Sequence, residues 1–205
     1  MPKPVRPSRA HPDAGMVGLL GGSFDPIHHG HLIVARAVLE ALGLDSLRFV
    51  PARKQPFKLG AHGAEPEQRA SMVAAAIRGE PRFFLERSEL DRPGPSYTVD
   101  TLRALRGREP GVDFVLLVGA DAAADLGAWR EAEEIPRLAR VVTFGRPGAE
   151  PAAGPMIWRT VAVPTVDISA TDVRTRVRTG RSIRWLVPDA VDRYIAAERL
   201  YLTEA

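Results

Sequence analysis

"MVGLLGGSFDPIHHGHLIVARAVLEALGLDSLRFVP", residues 16 to 51, decides the fold. Its opening "MVGLLG" carries no polar side chain, which reads as a strand buried on both faces. From His31 the spacing changes: Leu32, Ala35, Leu39 and Leu42 recur at helical intervals, and Gly43 supplies the stop. "LRFVP" then reads as a second strand, so the whole stretch is a strand–helix–strand unit.

The alternation continues outward from there. It predicts a helix near 66–78, a strand at "RFFLER" (82–87), a helix near 99–107 and a strongly apolar strand at "DFVLLVG" (113–119). A helix pair over roughly 121–138, a strand at "RVVTF" (140–144), an extended "MIWRTVAV" (156–163) and helices after Ser169 and Pro188 complete the pattern. Pro- and Gly-containing stretches before Ala64 and at 146–155 read as loops. Strands with continuous rather than alternating apolar residues imply an α/β, Rossmann-like, mostly parallel sheet with helices on both faces and a small helical C-terminal portion. Residues 1–15, with three prolines in the first seven positions, read as a disordered arm with Met16 as the expected true start; residues 16–205 read as a single domain.

The 205 residues carry a formal charge of +3. Lys3, Arg6 and Arg9 against Asp13 place +2 of it in the arm, leaving the rest near +1, so the basic pI does not point to nucleic acid. The chain has no cysteine, which excludes a disulfide framework, a thiolate metal site and a cysteine nucleophile, and fits a reducing cytosol. There is no apolar stretch of about 18 residues, the length that would suggest a membrane span. A cytoplasmic protein with no membrane partner is expected, and a homo-oligomer is left open.

Ligands of parallel sheets bind beyond the carboxyl ends of the strands, and residues 21–31 form the first such connection. Gly21 and Gly22 let backbone N–H groups approach a ligand, Asp25-Pro26 turns the chain, and the helix start adds positive dipole density, all suited to an anion. His28 and His31, three apart with Gly30 between them, can donate N–H groups to phosphate oxygens. Equally, two histidines here can cap the helix or complete a buried polar network. A protein-held metal is disfavoured by the absence of Cys and of H-E-x-x-H; neither G-x-x-x-x-G-K-[ST] nor G-x-G-x-x-G occurs.

A second anion site is suggested by "ISATDVRTRVRTG" (168–180), where Ser169 reads as an N-cap, Asp172 as its capping-box partner, and Thr171 with Arg174 as first-turn donors. Arg176 and Arg178 read as a solvated face. In "GPSYTVDTLRAL" (94–105), Ser96, Tyr97 and Thr98 enter a helix whose buried side is Val99, Leu102 and Leu105, and its free N–H groups suit a carboxylate; Thr98 as an ordinary cap uses the same geometry. Trp129 either stacks on a planar heteroaromatic ring or packs in the core.

"GGSFDPIHHGH" resembles the G-[ST]-F-D-P-x-H-x-G-H signature of the nucleotidyltransferase superfamily, and the chain from residue 17 onward is similar to bacterial nicotinate-nucleotide adenylyltransferases. The resemblance implies that His28, His31 and Arg174 are catalytic and that Gly21, Gly22, Ser23, Phe24, Gly30, Ile168, Ser169 and Thr171 bind ATP. The last three match I-S-[ST]-[ST]-x-[IV]-R, from which Ala170 departs. It implies that Ser96, Tyr97, Thr98, Trp129 and the "GAD" turn, with Gly119 and Asp121, hold the second substrate, Asp121 on a ribose hydroxyl. Lys58 matches a loop lysine, although Phe57 replaces the usual histidine beside it; Arg146 matches in "RPG", and Trp185 stands where Tyr is usual.

The reaction so implied is attack of nicotinate mononucleotide on ATP, giving nicotinate adenine dinucleotide and pyrophosphate in NAD biosynthesis, with Mg²⁺ carried by ATP. A related adenylyltransferase acting on nicotinamide mononucleotide or phosphopantetheine is the alternative. A non-catalytic nucleotide- or RNA-binding module is a further one, disfavoured by the near-neutral core.

Overall fold

Six strands lie side by side in the order β3-β2-β1-β4-β5-β6, with β1 at Met16–Gly22, β2 at Ser46–Pro51, β3 at Phe83–Leu85, β4 at Asp113–Gly119, β5 at Arg140–Gly145 and β6 at Arg159–Ala162. Every pairing is parallel. The computed structural model describes residues 15–54, 63–145 and 154–202. Residues 1–14 of the arm, the loop holding Lys58 and the segment holding Arg146 lie outside the described residues, while Gly15 at the arm's end accepts from the Asp113 N–H at 3.1 Å.

Strand side chains alternate between the two faces, and the core divides accordingly. Phe114, Leu116 and Val118 of β4 join Val17 and Leu19 of β1 in one apolar cluster; Val115 and Leu117 join Leu20, Leu47 and Phe49 in the other. The first face is covered by α3 (Thr98–Arg108) through Val99, Leu102 and Leu105. The second is covered by α1 (His29–Leu42), α2 (Pro66–Ala76), α6 (Ala170–Arg178) and α7 (Asp189–Ala197), through residues such as Val38, Val73, Val173 and Ile195. The small C-terminal helices are therefore part of the main core.

Four stretches differ from the sequence expectation. The region 121–138 is not a helix pair but a short α4 (Ala120–Ala124), two 3₁₀ turns at Leu126–Ala128 and Ala132–Glu134, and a one-turn α5 (Ile135–Leu138). Gly127 and Pro136 both disfavour a continuous helix there. "RFFLER" pairs over only three residues, and in "MIWRTVAV" the strand begins at Arg159, because each lies at a sheet edge with one partner strand. Helix α1 starts two residues before the expected His31.

The strand order makes β1 the point where the chain's progression reverses, with β2 on one side and β4 on the other. Connections leaving β1 and β4 depart to opposite faces and leave a crevice above Gly22 and Gly119. The topology thus fixes where a ligand can enter.

One ion cluster lies within this framework. Arg48 of β2 is fully buried and its guanidinium grips Glu109 with two bonds of 2.8 and 2.5 Å, with Glu86 at 3.4 Å. The hydrogen bonds from Arg48 hold the Glu109 carboxyl down at about 2. Replacing Arg48 with Met should leave Glu86 and Glu109 with only the more exposed Arg108, at 2.6 and 3.2 Å, and cost about 3 kcal/mol, the low end for breaking a buried pair. Urea unfolding at pH 7 measures this, and a loss below about 1 kcal/mol contradicts it.

Candidate active site

The connection from β1 to α1 is held by its own core plug. Phe24 adopts a left-handed backbone (φ 50°), and its ring is 1% exposed, edge-on to Phe49 at 5.7 Å and to His31 at 5.1 Å. Its contribution to the site is therefore backbone placement. Before it, the Ser23 carbonyl accepts a bond of 2.6 Å from the buried Arg69. At Gly21, a Cβ would meet no atom within 4 Å, so glycine there leaves the space above the strand open for a ligand.

His28 is the N-cap of α1 and His31 is its third residue. The two face each other in a capping-box arrangement in which the His28 backbone N–H donates to His31 Nδ1 at 3.2 Å, with the rings stacked at 3.8 Å. Because Nδ1 of His31 accepts, the neutral ring carries its proton on Nε2 and keeps that N–H as a donor. Burial lowers the His28 pKa to about 4, aided by His29, and that of His31 to about 3, aided by His28. Both rings are neutral at pH 7. Capping and ligand binding, which the sequence left as alternatives, are compatible uses of the same pair.

Gly30 explains how two helix starts come together. A Cβ there would sit 3.0 Å from His28 Nδ1 and 3.7 Å from the Ile168 carbonyl oxygen, so the α1 start and the residues leading into α6 are neighbours. Ser169 caps α6, its Oγ accepting from the Asp172 N–H at 3.1 Å. The reciprocal half of the expected capping box is absent, because the Asp172 carboxylate pairs with Arg176 at 2.9 Å. Arg174 reaches back to the first connection, donating to the Asp25 carbonyl at 2.7 Å, with Thr171 Oγ1 at 3.4 Å. It forms no salt bridge with a carboxylate among the described residues.

A cavity of about 620 Å³ opens beside these elements, at the β1/β4 crevice. Its wall includes Gly21, Gly22, Gly119, Ser96, Tyr97, Thr98 and Trp129. Helix α3 starts there with Tyr97 as N-cap and no side-chain cap, so Thr98 is its first helical residue rather than its cap, and the N–H groups of its first turn lack helical partners. Ser96 is pinned to the β2–α2 connection, accepting from Arg53 N–H and donating its own N–H to the Lys54 carbonyl, both at 2.9 Å. Trp129 is half-buried against the α3-side core while lining the cavity, which combines its two sequence readings. Asp121 is exposed on α4 and does not line the cavity; Asp125, where the chain turns back after α4, does.

Sequence reasoning missed the three charged lining residues, Glu89, Asp125 and Arg130. Glu89 accepts from Thr101 Oγ1 at 2.8 Å, and burial raises its pKa. Arg130 lies over the Tyr97 ring at 4.8 Å. None carries a periodic or motif signal; only the i,i+12 return of "SEL" toward Thr101 reveals Glu89, and that requires the fold. Arg69, fully buried and bonded to three backbone carbonyls, is likewise visible only in three dimensions.

Residues 19–176 match the family described as "Cytidylyltransferase-like". A "Probable nicotinate-nucleotide adenylyltransferase" of Roseiflexus sp. (strain RS-1) is 47% identical over 195 residues, covering 90% of this chain and 97% of that protein. One of the same name from Thermus thermophilus is 45% identical over 185 residues, covering 90% of this chain and 98% of that protein. Among solved structures, "Plasmodium falciparum nicotinic acid mononucleotide adenylyltransferase complexed with NaAD" shares the fold with a TM-score of 0.74 at 20% identity, over 92% of this chain and 98% of that one.

The depressed histidines make stability depend on pH. The unfolded chain takes up protons below about pH 6.5, while the folded rings resist until about 4 and 3. Stability should therefore fall as pH drops through that window, by up to about 1.4 kcal/mol per pH unit for each ring. Urea midpoints between pH 7 and pH 4.5 measure the slope, and His31→Gln should reduce it. An unchanged slope in that variant contradicts the buried, neutral assignment.

Proposed function

The chain belongs to the cytidylyltransferase-like family, grouping there with nicotinate-nucleotide adenylyltransferases, and from this we propose that it transfers the adenylyl group of ATP to nicotinate mononucleotide. The products are nicotinate adenine dinucleotide and pyrophosphate, a step of NAD biosynthesis in the cytoplasm. The observation that carries the reading is the meeting of the α1 and α6 starts at Gly30 and Ile168, beside a cavity onto which uncapped α3 opens. Two phosphate cradles and one carboxylate cradle suit a triphosphate and a mononucleotide bearing an acid.

An oxygen of the mononucleotide phosphate forms a bond to the α-phosphorus of ATP, and the bond from that phosphorus to the β-phosphate oxygen breaks, with its electron pair leaving on pyrophosphate. The attacking phosphate has a second pKa of about 6, so it is mostly dianionic at neutral pH and needs no protein base. That agrees with histidines too weakly basic to take a proton at pH 7. Their task is donation: Nε2–H of His31, with His28, lies toward ATP phosphate oxygens, while the α6 N–H groups, Ser169, Thr171 and Arg174 receive charge growing on the leaving pyrophosphate.

Among the described residues, no group of three or more His, Cys, Asp or Glu could hold a metal by itself. This donor set fits Mg²⁺ carried on the ATP phosphates, where the ion would neutralise part of their charge. Among the described residues, no helix is long and apolar enough to cross a membrane.

The α3 N–H groups should favour the acid over the amide by about 0.3–2 kcal/mol, roughly 2- to 30-fold in kcat/KM. Pyrophosphate release from ATP with nicotinate mononucleotide, nicotinamide mononucleotide and phosphopantetheine tests this; turnover of phosphopantetheine alone overturns the substrate assignment. His31→Ala should keep the parental circular dichroism and lose about 100-fold or more in kcat, as for removal of one transition-state donor. Near-parental turnover in that variant rejects its role.

A further inference from the structure

Asp25 precedes His28 by three residues, is 2% exposed, and neither of its carboxylate oxygens is left to a ligand alone. The Tyr201 hydroxyl donates to Oδ1 at 2.7 Å and the Gly63 N–H donates to Oδ2 at 2.8 Å. Its own carbonyl accepts from Arg174. One residue of the first cradle is thus tied to the second cradle, to the end of the β2–α2 connection and to the C-terminal segment 176 residues away.

Tyr201 reaches this point at some conformational expense. It is 7% exposed, and both it (φ 63°) and Arg199 (φ 53°) adopt the left-handed region, which a bulky residue seldom visits unless its surroundings hold it there. Its ring is also close to the Arg174 stem: a Cβ on Gly63 would lie 2.8 Å from Tyr201 Cδ1 and 3.3 Å from Arg174 Cδ. Burial, reinforced by the Asp25 charge, raises the phenol pKa, so the O–H stays a donor throughout the working range.

We propose that Tyr201 is a positioning residue for adenylyl transfer: by holding the Asp25 carboxylate, it fixes the spacing between the histidine turn and Arg174. The proposal rests on the transferase reading above. In-line displacement depends on atomic placement, and a 1 Å error can cost about 100-fold. Releasing Asp25 moves members of both cradles at once, while the mononucleotide cavity, lined by neither Asp25 nor Tyr201, stays intact.

Tyr201→Phe keeps the ring and removes only the hydroxyl. The expected result is a kcat about 10-fold lower, or less, with KM for nicotinate mononucleotide within about two-fold and binding of a non-hydrolysable ATP analogue about 10-fold weaker. Gly63→Ala, which pushes on the same ring from an exposed position, should reproduce the kcat loss, and carries the test if Tyr201→Phe does not fold. Val141→Ala, in the opposite core, is the control for lost stability and should retain parental kcat below its melting temperature. The proposal is overturned if Tyr201→Phe and Gly63→Ala both turn over within two-fold of the parent, or if Val141→Ala shows the same loss. A parent that releases no pyrophosphate rejects the transferase reading instead, and the ATP-analogue affinities of the variants still decide the clamp.

Discussion

Backbone N–H groups at an open helix start favour a bound phosphate, and two such starts side by side favour a polyphosphate. At Gly30, a Cβ would press on the His28 ring and sit in ordinary contact with the Ile168 carbonyl, so the starts of α1 and α6 lie side by side. The strand order brings β1 and β4 together at the reversal point, α1 leaves from the tip of β1, and the residues leading into α6 lie alongside it next to Gly30. The proposed phosphate site is built on that approach, with the histidine pair on one helix start and the Ser169 cap and Arg174 on the other, while the α3 start opens onto the neighbouring cavity.

The same site avoids charge where charge would be costly. The two stacked histidines, His28 buried and His31 partly so, are neutral at pH 7, and the proposed mechanism uses them as N–H donors. In the proposed mechanism positive charge comes instead from Arg174, which is half-exposed and tied to a carbonyl rather than to an acid. The carboxylate of Asp25 is buried but given two donors, in keeping with the rule that a buried ion must be hydrogen-bonded. Such fixed dipoles need little rearrangement as negative charge shifts, in the proposed transfer, from the attacking phosphate oxygen to the leaving pyrophosphate oxygen.

Much of this was legible in the sequence because it is local. The continuous apolar strands, the helical spacing from Leu32 to Leu42 and the two motif segments required only neighbours along the chain, and they located β1, α1, β4, α6 and the α3 start. What escaped was either broken up by weak signals or assembled across the chain. Gly127 and Pro136 were present to be read, yet the short turns between 120 and 138 depend on packing against the strand tips more than on periodicity. Glu89, Arg69 and Tyr201 reach the site from positions remote in sequence, with no spacing rule to announce them. Asp172 illustrates a finer limit: its capping bond competes with an i,i+4 arginine, and the ion pair wins the side chain.

A crystal structure with nicotinate adenine dinucleotide bound tests the account most directly. The diphosphate should bridge the α1 and α6 starts, within hydrogen-bond distance of His31 Nε2 and the backbone N–H groups after Ser169, with the nicotinate carboxylate on the first N–H groups of α3 beside Trp129. A dinucleotide whose diphosphate lies away from the Gly30–Ile168 contact, or whose carboxylate faces solvent, would contradict it.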